Sequence, residues 1–147
     1  MARGDVTVFE EFALQVGQEH HALASDTIKV GFITNGVTPA AGDATPAWAD
    51  YSASEVGTGG NYVAGGFTLS GVTFTEAAGV ATLDDTGNIA LAQDAGGFTD
   101  AYWGIIYNDS AAGKQAIAFI DLDGPVSEVA GPIAINWGAG GILTITA

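Results

Sequence analysis

The histidines that could do chemistry stand side by side: His20 and His21, with Asp26 downstream. Adjacent histidines point apart on a strand and do not share a helix face, so the two rarely hold one metal ion. The pair reads as a solvated end of the first segment. Asp121-Leu122-Asp123-Gly124 begins like a calcium loop. The later ligands and the bidentate glutamate are missing, so a turn closing a strand explains it better. Asp84-Asp85 reads the same way. Residues 57–66 carry five glycines around Asn61, Tyr62, Val63 and Ala64. A phosphate cradle would need a following Lys-Ser/Thr and a βαβ setting, and both are missing. A flexible or bulged turn is the expectation.

No serine sits in a G-x-S-x-G context, and no separate histidine completes a triad. The 17 acidic residues could supply a glycosidase-type pair, but most of them stand beside turns and read as solvated surface. Arg3-Gly4-Asp5 matches the integrin-type adhesion tripeptide over a length too short to carry weight. The expectation is therefore no catalytic residue, no metal ligand and no cofactor. The large aromatics remain. Trp103 and Trp137 fall in strand-like segments and are expected inside. Trp48 and Tyr51 fall in a loop, where aromatics serve as contact anchors or a sugar platform.

Composition limits the partners. Arg3, Lys29 and Lys114 are the only basic residues among 147, and the net charge is −14. Such a chain repels phosphate backbones and anionic membranes, and it stays soluble. Direct contact with nucleic acid or membrane is not expected. There is no cysteine, hence no disulfide and no thiolate site, which fits assembly in a reducing cytoplasm. The start runs from Arg3 to Glu10 and Glu11 without an apolar core, so no signal peptide is expected.

The elements follow from periodicity. Val6, Phe9, Phe12, Ala13 and Val16 share a helical face, Thr7 and Glu10 match a capping box, and Gly17 would end the helix. Phe12, Leu14 and Val16 also alternate as a strand would. A short N-terminal helix or an extended arm over residues 1–25 both fit, with the helix favoured. Ile28, Val30 and Phe32 alternate as a half-buried strand. Residues 35–50 read as a long loop. Short strands follow around Phe67–Leu69, Val72–Phe74, Val80–Leu83 and Ile89–Leu91. Tyr102–Tyr107 and Ile117–Ile120 are nearly continuous in apolar residues. They predict a central hairpin, covered on both faces and joined by a turn over 108–113. Ile133, Ile135 and Trp137, then Leu143 and Ile145, complete the set. Eight or nine short strands with turns every eight to twelve residues predict an all-β chain. Residues 26–147 would form an antiparallel β-sandwich or jelly roll.

Several stretches, taken in order, carry a resemblance. They are Asp26-Thr27-Ile28-Lys29-Val30 leading to Thr34-Asn35, then Glu55-Val56-Gly57-Thr58-Gly59 leading through Tyr62 to Ala64-Gly65-Gly66. Ala101-Tyr102 through Ile106-Tyr107 and Ala118-Phe119-Ile120-Asp121-Leu122 with Val126-Ser127 follow. Ile135-Asn136-Trp137 and Gly141-Ile142-Leu143-Thr144 close the series. From Asp26 onward the chain resembles small virion proteins of tailed bacteriophages, of the head decoration or cement type. Gly60-Asn61 and Val63 around the tyrosine depart from the pattern. The resemblance implies a non-enzymatic protein on the outer surface of the phage head, assembled in the host cytoplasm. It would bridge major capsid protein subunits and sit there as a homo-oligomer, dimer or trimer. A tail or neck protein and a carbohydrate-binding adhesion module are the alternatives. The expected partner contacts are Val6, Phe9 and Phe12 in the first segment, Trp48 and Tyr51 in the long loop, and Tyr62 in the glycine-rich turn.

Overall fold

The computed structural model describes residues 2–146. In chain order the elements are β1 (Val6–Val8), α1 (Phe12–Gly17), β2 (Ile28–Ile33) and α2 (Trp48–Tyr51), the last followed by a 3-10 turn at Ser52–Ser54. Then come β3 (Phe67–Thr68), β4 (Val72–Ala77), β5 (Val80–Asp85), β6 (Ile89–Leu91) and β7 (Ala101–Asn108). The last three are β8 (Ala116–Val126), β9 (Ile133–Ile135) and β10 (Leu143–Thr146). The strands form a five-stranded sheet in the order β1-β8-β7-β2-β3, a three-stranded sheet β10-β5-β4 and a ribbon β6-β9. Every ladder is antiparallel. The chain is all-β with little helix, as the turn spacing predicts, and its sheets fit a sandwich.

The hairpin β7-β8 lies at the centre of the five-stranded sheet, and its apolar runs are covered on both sides. Alternation splits each strand between two cores. Val30, Phe32, Ile106, Ala118 and Ile120 face the larger core, which Leu83 of β5 and Leu143 of β10 help to fill. Ile33, Ile105, Tyr107 and Phe119 face the smaller core, closed by Phe9, Trp48 and Tyr51. The long loop is therefore a lid over a sheet face that would otherwise expose a continuous apolar surface. It is tied down by backbone bonds from Trp48 N–H to the Lys114 carbonyl at 2.9 Å and from Ala116 N–H to the Pro46 carbonyl at 2.8 Å.

The expected helix start needs correction. The helix does not begin at Thr7. Val6, Thr7 and Val8 pair with Ile120, Phe119 and Ala118 of β8, and the helix starts only at Phe12. Three β-branched residues facing an otherwise unpaired β8 edge gain ladder bonds that a first helical turn lacks. The segment combines the two expected forms, an extended strand at Val6–Val8 that belongs to the main sheet and a short helix at Phe12–Gly17. The turn over Asp84–Asn88 carries the chain from β5 to β6, which lie in different sheets.

Close packing at Gly31 yields a stability prediction. The Trp48 ring stacks on Tyr107 with centroids 4.9 Å apart and an 8° tilt. A Cβ on Gly31 would overlap its six-membered ring. Gly31→Ala is expected to destabilise the fold by about 1–3 kcal/mol through overpacking, read from denaturant unfolding followed by tryptophan emission.

Candidate docking surface

The residues expected to meet a partner are mostly used inside the chain. Phe9, Phe12, Trp48, Tyr51 and Tyr62 are all buried, at 1–8% exposure, and only Val6 keeps partial exposure. Phe9 packs against Tyr51 and Phe119. Phe12 packs beside the His21 ring. The cause is the two-faced apolar hairpin, which draws every nearby aromatic onto itself. Trp48, Tyr51 and Tyr62 thus form no exposed sugar platform.

The glycine-rich turn is a pinned loop. The Tyr62 hydroxyl donates to Glu55 Oε1 at 2.8 Å and accepts the Phe32 N–H at 3.0 Å. The Tyr107 hydroxyl donates to the Gly65 carbonyl at 2.6 Å. Gly66 sits at φ +79°, with the Val30 carbonyl where a Cβ would stand, so only glycine lets the loop lie this close to β2. Burial pushes the Tyr62 phenol well above its ordinary range, and the Glu55 bond adds to this. Burial does the same to Tyr51, whose hydroxyl donates to Asp43 Oδ2 at 2.9 Å. Both stay neutral donors, with no sign of nucleophilic activation.

The histidine pair separates as expected, His20 exposed and His21 buried. His21 is not solvated, however. Its Nε2 faces Gln15 Oε1 at 3.0 Å, and its Nδ1 faces Asn108 Nδ2 at 3.2 Å. The same Asn108 amide reaches Asp26 Oδ2 at 2.6 Å and the His20 carbonyl at 3.0 Å. Burial lowers the imidazole pKa from 6.5 to about 4; Asp26 opposes this and His20 adds to it. Neutral His21 donates from Nε2 to Gln15 and accepts at Nδ1 from Asn108, which locks the end of α1 to the β7-β8 hairpin.

The acidic candidates divide in the same way. Asp85 is buried and accepts the Gly71 N–H at 2.7 Å, the Gly87 N–H at 3.2 Å and the Trp137 indole N–H at 3.3 Å. It fastens the β5-β6 crossing. Asp121 Oδ1 accepts the Asp123 N–H at 2.7 Å, but the stretch does not close a strand: it lies inside β8, where Asp123 and Gly124 take positive φ. Lys114 and Lys29 both pair with Asp109. The Lys114 bond, with Lys29 assisting against partial burial, holds that carboxyl below its usual range. Glu128 is fully buried, with Oε1 bonded to Asn61 and Oε2 wedged where Gly60 and Gly97 lack side chains. That oxygen has no hydrogen-bond partner among the described residues. No group of three or more metal-ligating side chains occurs among the described residues.

What stays open is a seam. A slot of about 590 Å³ runs between residues 3–6 and residues 132–138, floored by Ile120 and Leu122 of β8. A second groove of about 440 Å³ lies between Phe12, Ala13 and Val16 of α1 and residues 143–146 of β10, with Val8 at its base. Ile145 there is 39% exposed. The two adjoin, for Val6 and Ile142 line the first while Val8 and Leu143 line the second. Sequence reasoning missed this surface because it depends on which strands find no neighbour. Partial exposure of Trp137, expected inside, is part of it. No family model matches the chain, and no curated protein and no solved structure shows significant similarity to it.

Proposed function

We propose that the chain is a bacteriophage head decoration protein. It binds the outer face of the capsid and bridges major capsid subunits without catalysing a reaction. The observation that carries the reading is the open seam between β1 and residues 132–146, a surface of strand edges and apolar side chains suited to another protein. The ordered resemblance from Asp26 to Thr144 supports the capsid as that partner. So does the charge, since a net −14 keeps the free chain off packaged DNA and soluble until it docks. Contacts pass from the aromatics at Phe9, Phe12, Trp48, Tyr51 and Tyr62 to the seam, with Val6 at its margin.

The purified chain is expected to co-sediment with expanded phage capsids that lack it and to raise their melting temperature, since a ligand of the assembled state stabilises it by mass action. Failure to bind any capsid form, with labelled chain found only on tails, would move the protein to the tail or neck.

A further inference from the structure

The geometry points to β-strand addition at the seam: the slot along residues 132–138 takes an extended segment of the partner, apolar in its middle and flanked by lysine or arginine. The partner's identity as a capsid subunit rests on the proposed function, but the slot's chemistry does not.

Side chains alternate across a sheet, so a groove on a sheet face is lined by every second residue of a strand. Here the walls are consecutive residues, 3–6 on one side and 132–138 on the other. Val6 of β1 and Ile133–Ile135 of β9 are the strand residues among them, and both strands end their sheets. β9 is bonded to β6 on one edge only and to no other strand among the described residues. Open edges are normally guarded by charge, proline or a bulge. Ile133-Ala134-Ile135 carries no charge, and Pro132 guards only its start. The floor, Ile120 and Leu122, is apolar and would receive alternate side chains of an incoming strand.

Charge selects the occupant. Asp5 and Arg3 line the slot. Asp5 is in no ion pair among the described residues, and Arg3 gives its Nε to the Leu122 carbonyl at 2.9 Å. Around them the chain is strongly acidic, with a net charge of −14. A second copy of this chain would bring another −14, so a basic-flanked segment fits and self-pairing does not.

The test uses the full chain and two labelled peptides of alternating valine and threonine flanked by lysines. One is unmodified; its twin is N-methylated at alternate residues, which removes strand hydrogen bonds and keeps the charge. The unmodified peptide is expected to bind and to slow amide exchange within 132–138, and the twin to bind about tenfold more weakly. Asp5→Asn is expected to weaken the unmodified peptide about twofold, and added salt to narrow that difference. Equal binding of the two peptides, binding of neither, or protection elsewhere would overturn the inference. So would a dimer of the chain that protects 132–138, which would assign the slot to a second copy. Ala134→Trp fills the slot from an exposed position and is expected to reduce capsid docking about tenfold at unchanged melting temperature. Undiminished docking of that variant overturns the slot while leaving the decoration reading intact. Peptide binding without any capsid docking removes the decoration reading and leaves the slot.

Discussion

Phe9→Ala is expected to lower the unfolding free energy by about 3–5 kcal/mol, as for other buried phenylalanine truncations. Phe9 is 1% exposed, and its ring lies 5.3 Å from Phe119 and 6.0 Å from Tyr51 between centroids. Its N–H also continues the β1 ladder to the Ile117 carbonyl at 3.1 Å. Removing the ring opens the smaller core where the loop lid, the first segment and β8 meet. Single domains hold only about 5–15 kcal/mol in total, so the loss is a large share. A melting temperature lower by on the order of 10 °C should follow. Deleting everything before Asp26 goes further. It strips β1 from the sheet and removes Phe9, Phe12 and Leu23 from the two cores, and the truncated chain is expected not to fold. A truncated chain that melts within a few degrees of the intact one would show the first segment to be a separable arm.

Acid is expected to loosen the same junction through His21. The unfolded chain takes up a proton at the ordinary imidazole value of 6.5, whereas burial holds the folded His21 neutral down to about 4. Between those values the unfolded state binds more protons, so the stabilisation is complete above pH 6.5 and is lost as pH falls towards 4. The span corresponds to about 3 kcal/mol at 1.36 kcal/mol per unit. Protonation would also place an N–H at Nδ1 against the Asn108 amide nitrogen, which can only donate. Urea unfolding from pH 7 to pH 4 should show this slope, and His21→Gln should flatten it. An identical slope in the variant would mean that carboxylates alone carry the acid response.

Much of the fold was legible from local pattern. The run Tyr102–Tyr107 and its partner Ile117–Ile120 announced a doubly covered hairpin, because no polar alternation left a face for water. β2, β5 and β6 fell where alternation and turn residues put them. The helix start was misplaced because Val6-Thr7-Val8 is equally good as a helix start and as an edge strand. Only the β8 edge, supplied from more than a hundred residues away, decides between them. The contact aromatics were misread for a related reason. Trp48 and Tyr51 sit in a loop by sequence, but the second apolar face of β7 and β8 needs a cover, and that loop is what reaches it. The seam was illegible, since an unpaired edge is defined by strands that are not beside it. The lone signals were Trp137 and the uncharged Ile133-Ala134-Ile135.

The most direct measurement is an image reconstruction of phage heads decorated with the chain. The account predicts ordered density for it on the outer capsid face, at symmetry-related positions, with residues 132–138 turned to a capsid subunit and a subunit strand lying along β9. Density confined to the tail or neck, or a head-bound chain that touches the capsid through other surfaces while the seam faces solvent, would contradict it.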